Sequence, residues 1–228
     1  MTTGTTASGT FYSFNKKEQS IPIVFIHGVG LTYEIWQPQL DFFKDCSTLS
    51  YDILGHGKSS LNKEKISFDD FSNQLVNLID ELKINKIHLV GFSIGSLIAR
   101  NFATKFSDRL ESLILLGSIY KRSEEQQKIV NERFDQAKKE LKLSKQALKR
   151  WFTDKYLENN PETYEKISSI LASNNMAHFL KVYELFVKHK NEEDFKKIKA
   201  NTLVMTGELD VGSTVEMSQE LNKIINNS

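Results

Sequence analysis

Short apolar runs alternate with amphipathic stretches along the first half of the chain. Residues 21–26 (IPIVFI) and 48–54 read as strands, the first stopping at HGVG and the second at GHG. Glycine clusters of this kind punctuate turns. Residues 67–82 set Phe68, Phe71, Leu75, Leu78, Ile79 and Leu82 on one face at helical spacing. Ser67, with Asp70 three residues on, predicts the N-terminal cap of that helix. A strand KIHLV follows over 86–90, then a turn GFSIG, a helix over 96–106 and a strand core LILL over 113–116. Strands separated by helices pair in parallel through right-handed crossovers. The predicted fold class is therefore α/β, a mostly parallel sheet with helices on both faces.

The pattern changes near Ser118. Residues 119–200 are charged and helical in spacing, broken at Pro161, with no clear strand. A strand resumes over 201–206 (NTLVMT), followed by GELD and a last helix over about 213–225. An all-helical block between two strands of one sheet reads as a cap. The predicted domains are a core over 11–118, a helical cap over 119–200, and the second part of the core over 201–228. The cap segment holds 18 Lys+Arg against 13 Asp+Glu, net +5, and the remainder 12 against 16, net −4. A basic excess of this size is usually solvated helix surface.

Composition narrows the class of protein. Of 228 residues, 39% are apolar and 26% charged, and 30 Lys+Arg against 29 Asp+Glu leave a net charge of +1. That balance excludes a disordered polyanion and gives no sign of a nucleic-acid partner. The single cysteine, Cys46, excludes an internal disulfide framework and any multi-cysteine metal site. No apolar run is long enough to span a membrane. The Thr/Gly/Ser-rich first ten residues have neither the basic start nor the apolar stretch of a signal peptide, so the expected compartment is the cytoplasm.

Three motifs carry chemistry. Gly91-Phe92-Ser93-Ile94-Gly95 lies between a predicted strand and a predicted helix, the setting of a nucleophile elbow. The tight turn lifts the Ser93 hydroxyl out of the sheet, and the helix N-terminus beneath it favours developing negative charge. His27-Gly28-Val29-Gly30 follows the first apolar strand, where a loop supplies a second donor to an oxyanion; the candidate amides are those of Val29 and Ile94. His27 is expected to pack and hydrogen-bond that loop, since a base would follow the acid in chain order. Gly207-Glu208-Leu209-Asp210 places a carboxylate after a late strand, where an acid orients an imidazolium. Asp210 is the candidate and Glu208 the fallback.

Together HGVG, YDILGHGKSS, GFSIG and TGELD, in that order and spacing from about Phe11 to the end, resemble an α/β-hydrolase of the esterase/lactonase superfamily. The segment RWFTDKYLENNPETYEKISSILASNNMAHFLKVYELF is similar to the cap of 3-oxoadipate enol-lactonases, and TGELDVGSTVEMSQEL to their acid loop and following helix. The resemblance implies the α/β-hydrolase fold, with up to eight strands and a helical cap inserted before the strand that carries the acid. It aligns Ser93 with the nucleophile, Asp210 with the acid, and Val29 and Ile94 with the oxyanion-hole amides. The base has no counterpart. In the family it follows the acid by two to three dozen residues. Here 18 residues follow Asp210, none a histidine, and His27, His56, His88, His178 and His189 all precede it. The expectation is a chain shortened at its C-terminus, inactive for want of the base and prone to insolubility through an exposed sheet edge.

A serine, where dehalogenase and epoxide-hydrolase branches use an aspartate, implies acyl transfer to water. The expected substrate is a small carboxylic ester or lactone, with no metal or organic cofactor required. Trp151 and Arg122 are the named pocket candidates. Tyr120, Phe134, Phe152, Phe179, Tyr183 and Phe186 are further aromatic candidates, and one or two of these seven, Trp151 included, are expected to line an acyl pocket. Arg133 and Arg150 join Arg122 as candidates for a substrate carboxylate. A carbon–carbon or thioester hydrolase using the same triad is the alternative reaction, and a non-catalytic ligand-binding protein of this fold the alternative class.

Overall fold

The structure is a computed structural model that describes residues 1–140 and 146–228. Its strands are β1 (Thr2–Thr5), β2 (Phe11–Asn15), β3 (Ile23–Ile26), β4 (Thr48–Tyr51), β5 (Ile87–Phe92), β6 (Leu110–Leu116) and β7 (Asn201–Met205). They form one sheet in the order β1-β2-β4-β3-β5-β6-β7. β4, β3, β5, β6 and β7 run parallel, and β2 and β1 complete the sheet antiparallel.

Helices α1 (Gln37–Phe42), α2 (Phe68–Glu81) and α3 (Ile94–Lys105) connect the strands of the first half. β3 is central and alternates its side chains between two layers. Val24 and Ile26 are fully buried with Phe71, Leu75, Leu78 and Ile79 of α2 and Ile98 and Phe102 of α3. Phe25 points the other way, into a cluster with Val90 and with Trp36 and Leu40 around α1. Ser67 begins α2 as its sequence predicts: its backbone N–H donates to Asp70 Oδ2 at 2.8 Å and its hydroxyl at 2.9 Å.

Between β6 and β7 the described residues form α4 (Glu124–Glu140), α5 (Gln146–Trp151), α6 (Asp154–Asn159), α7 (Pro161–Ala172) and α8 (Met176–Val187). Pro161 opens α7, where its missing N–H is no loss. After β7 the chain turns at GELD and forms α9 (Val215–Ile224), whose Met217 and Leu221 pack on Leu97 of α3.

The apolar pattern passes over two strands. The first ten residues, read only as Thr/Gly/Ser-rich, contain β1, since Thr2–Thr5 pair with Phe11–Phe14 in the sheet. The first apolar strand of the sequence, now β3, is third in the chain. β2 (FYSFN) is too short and too mixed in polarity to stand out, yet Phe11 and Phe14 are buried.

Candidate active site

The serine stands at a strained junction. β5 ends at Phe92, α3 begins at Ile94, and Ser93 between them has φ 56° and ψ −119°. A non-glycine residue enters that region only when its surroundings hold it there. The holding contacts are its own N–H to Leu116 O at 2.9 Å, and the Ser96 N–H and hydroxyl to its carbonyl at 2.9 and 2.6 Å. The flanking glycines are sterically required. A Cβ on Gly91 would lie 2.3 Å from Gly95 O, and one on Gly95 would lie 2.5 Å from Ile26 O. The first turn of α3 is thereby pressed against the end of β3.

That close approach brings the HGVG loop beside the elbow. His27 is fully buried. Its Nε2 accepts the Ile53 N–H at 3.1 Å, so its Nδ1 carries the proton donated to Gly28 O at 2.8 Å. His56 Nε2 accepts the Gly30 N–H at 2.9 Å. Burial keeps both rings neutral, lowering His27 to about 3 and His56 to about 4. The Gly30 carbonyl accepts from the Asn174 side chain at 2.8 Å. Both imidazoles are therefore occupied in shaping the loop, as the sequence predicts for His27. Among the described residues, the N–H groups of Val29 and Ile94 have no hydrogen-bond partner.

Asp210 lies in the turn after β7. Its Oδ1 accepts the N–H groups of Gly212 and Ser213 at 2.8 and 3.0 Å, and its Oδ2 accepts the Ser213 hydroxyl at 2.9 Å. Glu208 is exposed and takes no part. Gly117, at φ 55°, ends β6 beside it; a Cβ there would sit 3.7 Å from Asp210 Oδ2.

Ser93, Asp210 and Val29 line one cavity of about 290 Å³. Its opposite wall comes from the inserted helices: Arg133 of α4, Arg150 and Trp151 of α5, and Phe179, Tyr183 and Phe186 of α8. Four of the candidate aromatics therefore line it rather than one or two. Tyr120, Phe134 and Phe152 do not, being spent in packing against Phe195, Tyr183 and Tyr156. Arg122 also lines the cavity, but its guanidinium donates to the carbonyls of Phe186 and Val187 at the end of α8 and lies 4.7 Å from the Phe186 ring. Burial lowers it to about 10.

Among the described residues no histidine lines this cavity. His88 pairs with Ser112 across β5 and β6 at 2.8 Å, His178 lies on α8, and His189 is buried against Glu193 at 3.2 Å. Gly117 escapes sequence reasoning because it stands in no motif, and Ser213, although inside TGELDVGSTVEMSQEL, is not marked there as the tether of the aspartate.

A serine on a strand–helix elbow, a carboxylate after a late strand, and helices covering a mostly parallel sheet define an α/β protein of hydrolase type. The chain belongs to the alpha/beta-hydrolase-fold family, whose profile matches residues 21–228. Among curated proteins it is similar to the (E)-2-((N-methylformamido)methylene)succinate hydrolase of Acinetobacter baylyi, 29% identical over 203 residues, 88% of this chain and 76% of that protein. It is also similar to 3-oxoadipate enol-lactonase 2 of the same organism, 27% identical over 200 residues, 87% of this chain and 75% of that protein. The fold superimposes on the crystal structure of the enol-lactonase from Burkholderia xenovorans with a TM-score of 0.88 at 24% identity, covering 96% of this chain and 85% of that one.

Proposed function

We propose that the chain carries the nucleophile, acid and substrate pocket of a serine hydrolase that cleaves carboxylic esters or lactones bearing a free carboxylate. The observation that carries this reading is the single cavity shared by a strained serine, a tethered aspartate and an arginine-bearing wall. Ser93 Oγ attacks the substrate carbonyl, and the N–H groups of Val29 and Ile94 receive the oxyanion. The alcohol or enol oxygen leaves, and water then releases the acid from Ser93. Asp210 orients and stabilises the imidazolium of a base that none of the five histidines supplies, so residues 1–228 turn over slowly by themselves. No step calls for a metal or cofactor. In this reading residues 119–200 are the cap, over a core of 11–118 and 201–228.

The substrate's charge follows from the arginines. Arg122 is committed to the end of α8, whereas Arg133 and Arg150 have no carboxylate within ion-pair distance among the described residues. Arg150 is lowered by burial and by the charge of Arg133, and a bound anion relieves both penalties. Relatives named for a succinate derivative and for 3-oxoadipate support an acid-bearing substrate.

The test uses 4-nitrophenyl acetate and the 4-nitrophenyl monoester of glutarate, with imidazole added as the missing base. Ser93→Ala is expected to abolish, on both esters, the protein-dependent rate above that of imidazole alone. Arg133→Gln and Arg150→Gln are expected to raise KM about tenfold for the glutarate ester alone, the loss of one charge-assisted contact. A protein-dependent rate, above that of imidazole alone, that survives Ser93→Ala sinks the nucleophile, and equal losses on both esters sink the carboxylate.

A further inference from the structure

The largest fully buried side chain among the described residues is a charged one, outside the cavity. Arg100 sits on α3, seven residues or two turns beyond Ser93, and is fully buried. One arm, Nη1, donates to Ile119 O at 2.8 Å and to the Ser118 hydroxyl at 3.3 Å. The other, Nη2, donates to Glu193 Oε2 at 2.8 Å and Asn191 Oδ1 at 3.0 Å, with His189 Nε2 at 3.5 Å. The ring of Phe195 lies 4.9 Å from the guanidinium. Ser118 and Ile119 begin the chain's path from β6 into the inserted helices, and residues 189–195 bring it back from α8. One guanidinium thus holds both linkers to the helix that carries the nucleophile.

The linkers have the features of hinges. Each contains a non-glycine residue in the left-handed region, Lys121 at φ 48° and Asn191 at φ 54°. An open cleft of about 690 Å³ runs between them and α4, lined by Ile119, Lys121, Gln127, His189 and Asn191 among others. The linkers therefore have room to move on that side and are fixed on the other by Arg100. The cavity's two walls belong to different parts of the chain: Ser93, Val29 and Asp210 to the sheet side, and Arg133, Trp151 and Tyr183 to the insert. Their separation depends on where the linkers are pinned.

We infer that Arg100 is a positioning residue, a clamp whose pairing with Glu193 sets the distance between the inserted helices and Ser93. The inference rests on the cap reading above for its consequence in catalysis, but the clamp itself is tested without turnover. Taking away one partner leaves a buried charge unpaired and destabilises the protein as any buried pair would. Replacing both by apolar residues of similar size removes the clamp while sparing the charge penalty. The informative variant is therefore Arg100→Met with Glu193→Met, beside Glu193→Gln and Arg100→Lys.

Hydrogen–deuterium exchange resolved by segment reads the outcome. In the double variant, amides of residues 118–123, 188–195, α4 and α8 are expected to exchange about tenfold faster, with β3, β5 and β6 within about twofold of the unsubstituted chain. Trp151, half exposed on the cavity wall, is expected to shift its emission, while the core Trp36 does not. Arg100→Lys keeps a charge but not the fork, and should fall between. If the double variant does not fold, Glu193→Gln decides by the same pattern. A uniform rise across strands and helices means a merely structural residue, and no rise in the linkers means no clamp; either overturns the inference. Loosened linkers with an inert Ser93 leave the clamp standing and remove the hydrolase reading.

Discussion

The elbow is decided by single atoms. Gly95 has no side chain because the Ile26 and His27 carbonyls already occupy the space where one would go, at 2.5 and 2.7 Å. Both contacts are backbone, so neither yields by a rotamer change, and crowding of this kind costs about 1–3 kcal/mol. Gly207 is the natural control, since nothing lies within 4 Å of a Cβ built there. Gly95→Ala is expected to lower unfolding free energy by about 2–3 kcal/mol, with the urea midpoint falling accordingly. Gly207→Ala should stay within about 0.5 kcal/mol of the starting chain. Equal effects would mean that the β3–α3 approach is looser than these distances require. The same closeness sets Ser93 beside the HGVG loop, so the tight packing and the placement of that loop have one origin.

At the scale of elements, that loop depends on two neutral imidazoles. An unfolded histidine protonates below about pH 6.5, whereas burial holds His56 neutral to about pH 4 and His27 to about pH 3. Their stabilisation is complete above about pH 6.5 and is lost as the pH falls toward those values. Asp52 beside them works in the opposite direction, because burial raises its carboxyl to about 6 and the folded state keeps the proton longer. Two imidazoles against one carboxyl leave a net uptake of about one proton on unfolding between about pH 6 and 4, worth about 1.4 kcal/mol per pH unit. Urea midpoints at pH 7 and pH 5 should therefore differ, and His56→Gln should flatten the difference. A midpoint equal at both pH values in the unsubstituted chain would contradict this account. Such coupling is only half legible in the sequence. The apolar runs of β3 to β7 and the spacing of α2 name themselves, because a buried face repeats with the period of its element. The elbow does too, because a small-residue pattern between a strand and a helix has few other uses. β1 escapes notice because Thr2–Thr5 is polar and pairs through its backbone. His56 and Arg100 escape because their partners are distant in the chain, and periodicity carries no information about such pairs.

The whole molecule is unevenly finished at its two sheet edges. At one edge the outermost strand, β1, is four residues of Thr and Gly. At the other, β7 pairs with β6, and its outward side meets the Asn227 carbonyl, which accepts from the Thr202 N–H at 2.7 Å. Alternation along β7 turns Thr202 inward and leaves Leu203 52% and Met205 47% exposed on the opposite face. Leu209 and Val211 in the following turn are more exposed still. An edge with free backbone groups beside exposed apolar side chains is a template for pairing with another strand. The chain is therefore expected to self-associate through β7, with scattering mass rising with concentration in the tens of micromolar. Lysine on an edge strand is a device that blocks such pairing. Leu203→Lys with Met205→Lys is expected to hold the mass at that of one chain. Because both positions face outward, unfolding free energy should change by no more than about 0.5 kcal/mol each. Association unchanged by the two lysines would place the contact elsewhere, and the cavity rim, with Trp151 44% exposed, would then be the next surface to substitute.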